Sequence, residues 1–213
     1  MWLHIIYLIA ITAEAMSGAL VGIKKEFDLF GLCMVGTVTA LGGGTVRDVL
    51  LGHYPLGWVA HPEYLVFTVG AALITSIMAH LVTRMRQTFL VADAIGLAAF
   101  TVIGCNVGLS LSLHPGVAVV AGMITGIIGG VLRDLLCNEA PLVLHGEFYA
   151  SVTLIVGAVF MGLQKLGLAF DLAAVAAMIV GVTLRMLAVW QGWRLPKSRS
   201  AHTTIVANDS RRF

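Results

Sequence analysis

Seven apolar stretches, each long enough to cross a lipid bilayer, constrain this chain more than any other feature. A helix of roughly 20 apolar residues spans the hydrocarbon core. Only 11% of the residues are charged, whereas soluble domains average about 25%. The polar segments between the stretches are too short for a separate soluble domain. The sequence therefore predicts an all-α integral membrane protein with seven transmembrane helices, over residues 3–23, 29–51, 64–82, 89–111, 116–137, 148–166 and 172–190.

The first stretch admits a second interpretation. Ala13-Glu14-Ala15 follows an apolar run and has the small-x-small form of a signal-peptide cleavage site. Signal peptides carry basic residues before the apolar run, and none precedes this one. The first stretch also has a counterpart later in the chain. We therefore predict a membrane span here, with a signal peptide as the alternative.

The basic residues predict the orientation. With the N-terminus outside, the outer loops carry only Lys165, and Arg185 near the inner end of the last helix is expected to snorkel to the interface. Basic residues accumulate on the cytoplasmic side of inner-membrane proteins. We expect a bacterial inner-membrane protein with a cytoplasmic C-terminal tail, 192–213. The cytoplasmic set is Lys24, Lys25, Arg84, Arg86, Arg194, Lys197, Arg199, Arg211 and Arg212.

An internal repeat divides the chain. When the sequence is shifted by 86 residues, 16 of the 66 positions from Tyr7 to Ala72 are identical, against roughly one in twelve expected from composition. We predict a first three-helix repeat over 3–83, a second over 89–166 and a seventh helix over 171–191. Three spans are an odd number, so the second copy is inverted. Inverted repeats are typical of proteins that carry solutes or ions near the membrane midplane.

The repeated segments contain glycine runs followed by an Arg-Asp pair. Gly42, Gly43 and Gly44 precede Arg47-Asp48, and Gly129-Gly130 precede Arg133-Asp134. Glycine runs permit helix kinks, and a kink inside a membrane is tolerated only beside protein or water. The pattern predicts kinked second and fifth helices along a water-filled path. The alternative is close helix packing, which we expect for Gly18-x-x-x-Gly22, Gly104-x-x-x-Gly108 and Gly122-x-x-x-Gly126.

Charged residues inside the spans mark the candidate pathway, because each costs at least about 2.5 kcal/mol to insert. They are Glu14, Arg47, Asp48, Asp93, Arg133 and Asp134. Adjacent residues on a helix do not face each other, so one member of each Arg-Asp pair is expected to line the path while the other packs. Salt bridges between the repeats, Arg47 with Asp134 and Arg133 with Asp48, are the structural alternative. Solvation at the interface is the alternative for Asp93.

Nothing in the sequence predicts an enzyme, a metal site, a cofactor or a nucleic-acid partner. Gly-x-Ser-x-Gly and His-Glu-x-x-His are absent from the sequence, and both motifs are typical of hydrolases. The three cysteines form no C-x-x-C pair, and the net charge is only +2. A solvated role is expected for the loop histidines His53, His61, His114 and His145.

The doubled Gly-Gly-(Gly)-x-x-Arg-Asp-x6-Pro motif, in the second and fifth of seven helices, resembles bacterial relatives of the trimeric intracellular cation (TRIC) channels. The same group is also labelled as glycine transporters. The resemblance covers roughly residues 5 to 195. It implies a homotrimer in membrane lipid, with one pore per subunit lined by glycine-kinked second and fifth helices. It also implies permeant potassium and sodium, with bound lipid as the only further ligand. The residues carried over are Gly42, Gly43, Gly44, Arg47, Asp48, Gly129, Gly130, Arg133 and Asp134.

The chain departs from that family pattern at three positions. Ile128 stands where the first motif has Gly42, which predicts a weaker second kink. Glu14 replaces a common aromatic residue, and Tyr7 stands where members often have Asp. A secondary transporter for a small solute such as glycine, coupled through Glu14 or Asp93, is the alternative function, because transporters also use inverted repeats.

Overall fold

The computed structural model describes residues 2–79, 85–144 and 148–193. A helix occupies each of the seven apolar stretches within these residues. Five of them, α1, α2, α4, α5 and α7, are long and apolar enough to cross a membrane. The other two have 16 residues each. The helices are α1 Trp2–Lys24, α2 Leu29–Leu51, α3 Glu63–Met78, α4 Met85–Ser110, α5 Pro115–Leu136, α6 Ala150–Lys165 and α7 Phe170–Gln191.

Local sequence sets the ends of the two motif-bearing helices. The Asp28 side chain caps α2 by accepting a hydrogen bond from the Gly31 N–H at 2.7 Å, which satisfies a free donor of the first turn. α2 ends at Gly52, whose φ of 64° lies in the left-handed region that glycine adopts without strain. α5 begins at Pro115, after a cap from the His114 side chain. Proline fits this first position because its missing N–H would have no helical partner.

Four helices form the centre of the bundle. α1 packs on α2 and α4, and α5 packs on the same two helices. α3 lies against α1 and α2, while α6 lies against α4 and α5, and α7 covers α4 and α6. The outer surface is apolar, with Phe30 78% and Val66 73% exposed. An apolar exterior of this kind is stable in lipid and not in water.

Small residues bring the central helices together. A Cβ atom at Gly18 would lie 2.9 Å from the Gly36 Cα, and one at Gly104 would lie 2.7 Å from the Gly122 Cα. These distances are shorter than any ordinary carbon contact, so only glycine allows α1 to approach α2, and α4 to approach α5, this closely. The packing role predicted for Gly18 and Gly104 is confirmed.

The two ends of the bundle carry different groups. At the first end, Tyr7 near the start of α1 stacks on Tyr64 at the start of α3, with ring centroids 4.5 Å apart. At the second end, Lys25 after α1 forms an ion pair with Glu139 after α5 at 2.7 Å. The predicted inner side depends partly on Arg84 and on tail residues from Arg194 onwards, which lie outside the described residues. The orientation therefore stays a prediction.

Candidate functional site

The first Arg-Asp pair, here called the first fork, lies near the end of α2. Arg47 donates to Asp48 Oδ1 from Nε at 3.0 Å and from Nη2 at 2.7 Å. Both side chains are buried. Asp48 also binds the next loop: Oδ1 lies 2.9 Å from His53 Nδ1, and Oδ2 accepts from the Gly57 N–H at 3.3 Å. The carboxylate therefore links Arg47 to the chain just beyond Pro55.

The second fork repeats this arrangement near the end of α5. Arg133 Nε donates to Asp134 Oδ1 at 2.8 Å, and Asp134 Oδ2 accepts from the Leu142 N–H at 2.9 Å. Leu142 directly follows Pro141, as Gly57 follows Pro55 by two residues. The spacing Arg-Asp-x6-Pro thus has a physical reason. One carboxylate oxygen holds the arginine while the other satisfies a backbone N–H of the following loop.

The alternative of salt bridges from Arg47 to Asp134 and from Arg133 to Asp48 is wrong. Each arginine instead pairs with the aspartate that directly follows it. That one member of each pair lines a path stays a prediction. The long arginine side chain folds back onto its neighbour, so both members are buried together. An adjacent pair buried in this way neutralises its own charge.

The second fork has further partners that the first fork lacks. Arg133 Nη1 donates to Ser17 Oγ on α1 and to Asp93 Oδ1 on α4, each at 2.7 Å. The Tyr149 hydroxyl donates to the same Asp93 oxygen at 3.3 Å. The Arg133 guanidinium also lies 4.7 Å from the centre of the Phe89 ring. A single guanidinium therefore connects α1, α4 and α5.

Glu14 and Asp93 complete this group, which we call the second cluster. They are 2% and 0% exposed, so interfacial solvation does not account for Asp93. The Glu14 side chain packs directly on Gly96, one turn along α4 from Asp93. Glu14 Oε2, Asp93 Oδ2 and Arg133 Nη2 are buried without a hydrogen-bond partner. Buried polar atoms are nearly always paired, so this compartment holds unused donors and acceptors.

The glycine runs form a direct crossing of α2 and α5. A Cβ atom at Gly43 would overlap the Thr125 carbonyl oxygen, and one at Gly129 would overlap the Thr39 carbonyl oxygen. Close packing is therefore the role of these two glycines. Both helices are continuous through the runs, and the kinks stay a prediction.

The remaining motif glycines differ between the repeats. A Cβ atom at Gly44 would meet only Arg47 Nη2, at 3.7 Å, whereas one at Gly130 would lie 2.9 Å from the Tyr149 hydroxyl. At Gly42, a Cβ atom would lie 2.5 Å from Leu132 Cδ1. The face of α2 at Gly44 thus has free space beside the first fork, while the equivalent face of α5 is closed.

A cavity of about 490 Å³ opens at the second end, beside the second fork. Five of its lining residues are charged or aromatic: Lys24, Arg86, Phe89, Asp134 and Glu139. The neighbouring Lys25 ammonium lowers the pKa of the Glu139 carboxyl by hydrogen bonding and charge attraction. Asp134 thus brings the second fork to the wall of this cavity, which we call the vestibule.

Several residues at the site have no signal in the sequence motif. Ser17, Tyr149 and Thr125 are ordinary residues of apolar helices or loops until the fold places them beside the forks. His53 is partly exposed to solvent, as expected, and also contacts Asp48. Arg185 does not snorkel: it is 1% exposed and its guanidinium lies 4.7 Å from the Tyr149 ring centre. Among the described residues, no group of three or more His, Cys, Asp or Glu side chains has the geometry of a metal site.

Comparison with known proteins identifies relatives along nearly the whole chain. The family model described as "Glycine transporter" matches residues 4–80 and 90–165. The UPF0126 inner membrane protein YadS of Escherichia coli K12 is 36% identical over 197 residues, covering 92% of this chain and 94% of that protein. Among solved structures, the TRIC trimeric intracellular cation channel orthologue of Rhodobacter sphaeroides superposes with a TM-score of 0.85 at 34% identity. That match covers 89% of this chain and 98% of the orthologue. A second TRIC cation channel structure superposes with a TM-score of 0.83 at 36% identity. That match covers 92% of this chain and 97% of the other chain.

Proposed function

This chain belongs to the glycine-transporter family of membrane proteins, whose solved relatives include TRIC cation channels, and on that premise we propose that it is a potassium- and sodium-permeable channel. The proposed assembly is a homotrimer with one pore in each subunit, in the bacterial inner membrane. The observation that carries the proposal is the pair of buried Arg-Asp forks near opposite ends of a glycine crossing between α2 and α5. Buried charges in a membrane bundle mark ion or solute pathways.

The proposed pathway runs along α2 and α5 from one fork to the other. It passes the free space beside Gly44 and the second cluster, and it ends in the vestibule of about 490 Å³. Asp48 and Asp134 neutralise the arginines that would otherwise repel a cation. Glu14 and Asp93 add negative charge to the half of the bundle that contains the second fork. An excess of buried carboxylates favours cations over anions.

The crossing at Gly43 and Gly129 is the narrowest point of this pathway, because the two backbones are in contact there. Ions pass only when α2 and α5 separate or bend at this point. Glycine lowers the cost of such bending, since it weakens a helix by about 1 kcal/mol relative to alanine. The glycine runs thus serve close packing in one state and, we propose, a kink in the conducting state.

The topology that we propose has seven transmembrane helices, formed by two inverted repeats and α7, with the N-terminus outside. The match of one family model to residues 4–80 and to residues 90–165 supports the two repeats. The opposite locations of the two forks in the bundle support the inversion. The nine-to-one distribution of basic residues supports the orientation.

Planar-bilayer recording of the purified protein tests the channel proposal. We expect discrete unitary currents, with a reversal potential in asymmetric KCl that moves toward the potassium equilibrium potential. The variant Gly44→Leu should abolish these currents, because its side chain fills the free space beside the first fork, while the protein still inserts and elutes as a trimer. A reversal potential of the opposite sign, or unchanged currents in Gly44→Leu, would refute the pathway.

A secondary transporter for a small solute such as glycine is the second candidate, favoured by the description of the family model. In that case Glu14 or Asp93 would couple transport to a proton or sodium ion. Uptake of radiolabelled glycine into proteoliposomes separates the two functions. Saturable, gradient-driven uptake without unitary currents would establish the transporter.

A further inference from the structure

The two forks differ in charge balance. At the first fork, the Arg47 guanidinium is matched by the Asp48 carboxylate. Among the described residues at the second end, three buried carboxyl groups accompany two guanidinium groups. The carboxyl groups are Glu14, Asp93 and Asp134, and the guanidinium groups are Arg133 and Arg185. With every group ionised, these five groups carry one net negative charge.

The geometry shows where this charge lies. Arg133 is committed to Asp134 and to Asp93 Oδ1. The Arg185 guanidinium lies over the face of the Tyr149 ring, 4.7 Å from its centre. Glu14 has no salt bridge to either arginine within 4.0 Å among the described residues. The excess charge therefore falls on Glu14 and on the free oxygen of Asp93.

The unused oxygens are Glu14 Oε2 and Asp93 Oδ2, each on a side chain at least nine-tenths buried. Glu14 packs on Gly96, which lies one turn beyond Asp93, and the Glu14 and Asp93 carboxyl groups are close enough to repel each other when both are ionised. Two carboxyl groups that share a buried site do not both stay ionised without a counter-charge. An isolated buried charge is too costly to persist.

We propose that Glu14 and Asp93 bind one monovalent positive charge between Glu14 Oε2 and Asp93 Oδ2. The charge comes either from a proton or from an alkali ion. Among the described residues, the charged and titratable groups that face this site are Asp93 on α4, Arg133 and Asp134 on α5, and Tyr149 before α6, while Arg185 on α7 faces Tyr149. The inference does not depend on conduction, since binding is measured on the resting protein.

Two measurements on the purified full-length protein distinguish the sources. Infrared difference spectra at neutral pH report a protonated carboxyl group through its C=O stretch. Melting curves in KCl, NaCl or N-methylglucamine chloride, at equal ionic strength, report a bound alkali ion. At an ion concentration of about 100 times the Kd, binding should raise the Tm by about 5 °C or more.

A bound proton predicts a carboxylic acid band that is lost in Glu14→Gln and is insensitive to the salt. A bound alkali ion predicts a KCl- or NaCl-specific rise in Tm that is lost in the same variant. Glu26→Gln is the matched control, because Glu26 is exposed in the loop after α1. It should keep the wild-type behaviour in both measurements.

Absence of both signals in the wild-type protein, or their persistence in Glu14→Gln, would overturn the proposal. If Glu14→Gln does not fold, Asp93→Asn removes the other half of the site and should abolish the same signal. Unitary currents without either signal would leave the channel proposal standing and remove this site. Either signal without unitary currents would support this site and remove the channel proposal.

Discussion

The glycine crossing allows a sharp test, because two adjacent glycines of α2 have opposite surroundings. A Cβ atom at Gly43 would overlap the Thr125 carbonyl oxygen, whereas one at Gly44 would lie 3.7 Å from its nearest neighbour, Arg47 Nη2. The neighbour of Gly43 is backbone of α5, which cannot rotate away. Gly43→Ala therefore forces α2 and α5 apart, while Gly44→Ala adds an ordinary contact.

The magnitude follows from this difference. Inserting a methyl group into a packed interface costs about 1–3 kcal/mol, and a backbone neighbour places Gly43→Ala at the upper end. For a chain of this size, about 3 kcal/mol corresponds to a loss of about 6–12 °C in Tm. Gly44→Ala should leave the Tm unchanged or raise it slightly, since alanine favours a helix by about 1 kcal/mol over glycine.

The assay is thermal unfolding of both purified variants and the wild type in the same detergent. Gly129→Ala should match Gly43→Ala, because its Cβ atom would overlap the Thr39 carbonyl oxygen on the opposite side of the crossing. Equal Tm values for Gly43→Ala and Gly44→Ala would refute the close crossing. A larger loss for Gly44→Ala would refute the assignment of the faces.

The other predictions concern buried and loop charges. Arg133→Met should lower the free energy of unfolding by about 3–5 kcal/mol, because it leaves buried carboxylates without their counter-charge. It should lower the Tm more than Arg47→Met does. Adding Asp93→Asn to Arg133→Met should restore part of the lost Tm. Equal losses for the two arginine variants would contradict the additional bonds to Ser17 and Asp93. Glu139→Gln should lower the Tm near neutral pH, because it removes the Lys25 ion pair. Since Lys25 lowers the folded-state pKa of Glu139, the pair is fully present above the ordinary glutamate range and is lost as the pH falls through that lowered value. The Tm values of Glu139→Gln and wild type should therefore converge in acid, and a constant difference would exclude the ion pair as the cause.

Much of the candidate site was accessible from the sequence because charge in lipid is costly wherever it occurs. Glu14, Asp93 and the two Arg-Asp pairs stand out in apolar stretches, and the structure places each of them in a buried polar contact or against another helix. The hydrogen-bond and ion-pair partners of these charged residues could not be predicted from the sequence. Pairing between repeats is as reasonable as pairing between neighbours until side-chain reach and helix rotation are known. The structure decides in favour of neighbouring residues, because the Arg47 side chain folds back onto Asp48.

The glycines show the same division. Their positions indicate either bending or close packing, because a missing side chain permits both. The contact of Gly43 with the Thr125 carbonyl, and of Gly129 with the Thr39 carbonyl, establishes packing at the crossing. No local signal in α2 specifies which face meets α5, since that choice depends on all four central helices.

The sequence by itself determined the membrane environment, the seven helical stretches, the repeated Arg-Asp motif and the residues that bear buried charge. These properties depend on composition and on short-range spacing, so each of them can be read from a residue and its near neighbours in the sequence. The tertiary structure decided which groups meet: that Ser17, Asp93 and Tyr149 gather around Arg133, and that Glu14 of α1 packs on Gly96 of α4. Such contacts join residues far apart in the chain, and their energies depend on interatomic distances that only the packed helices fix.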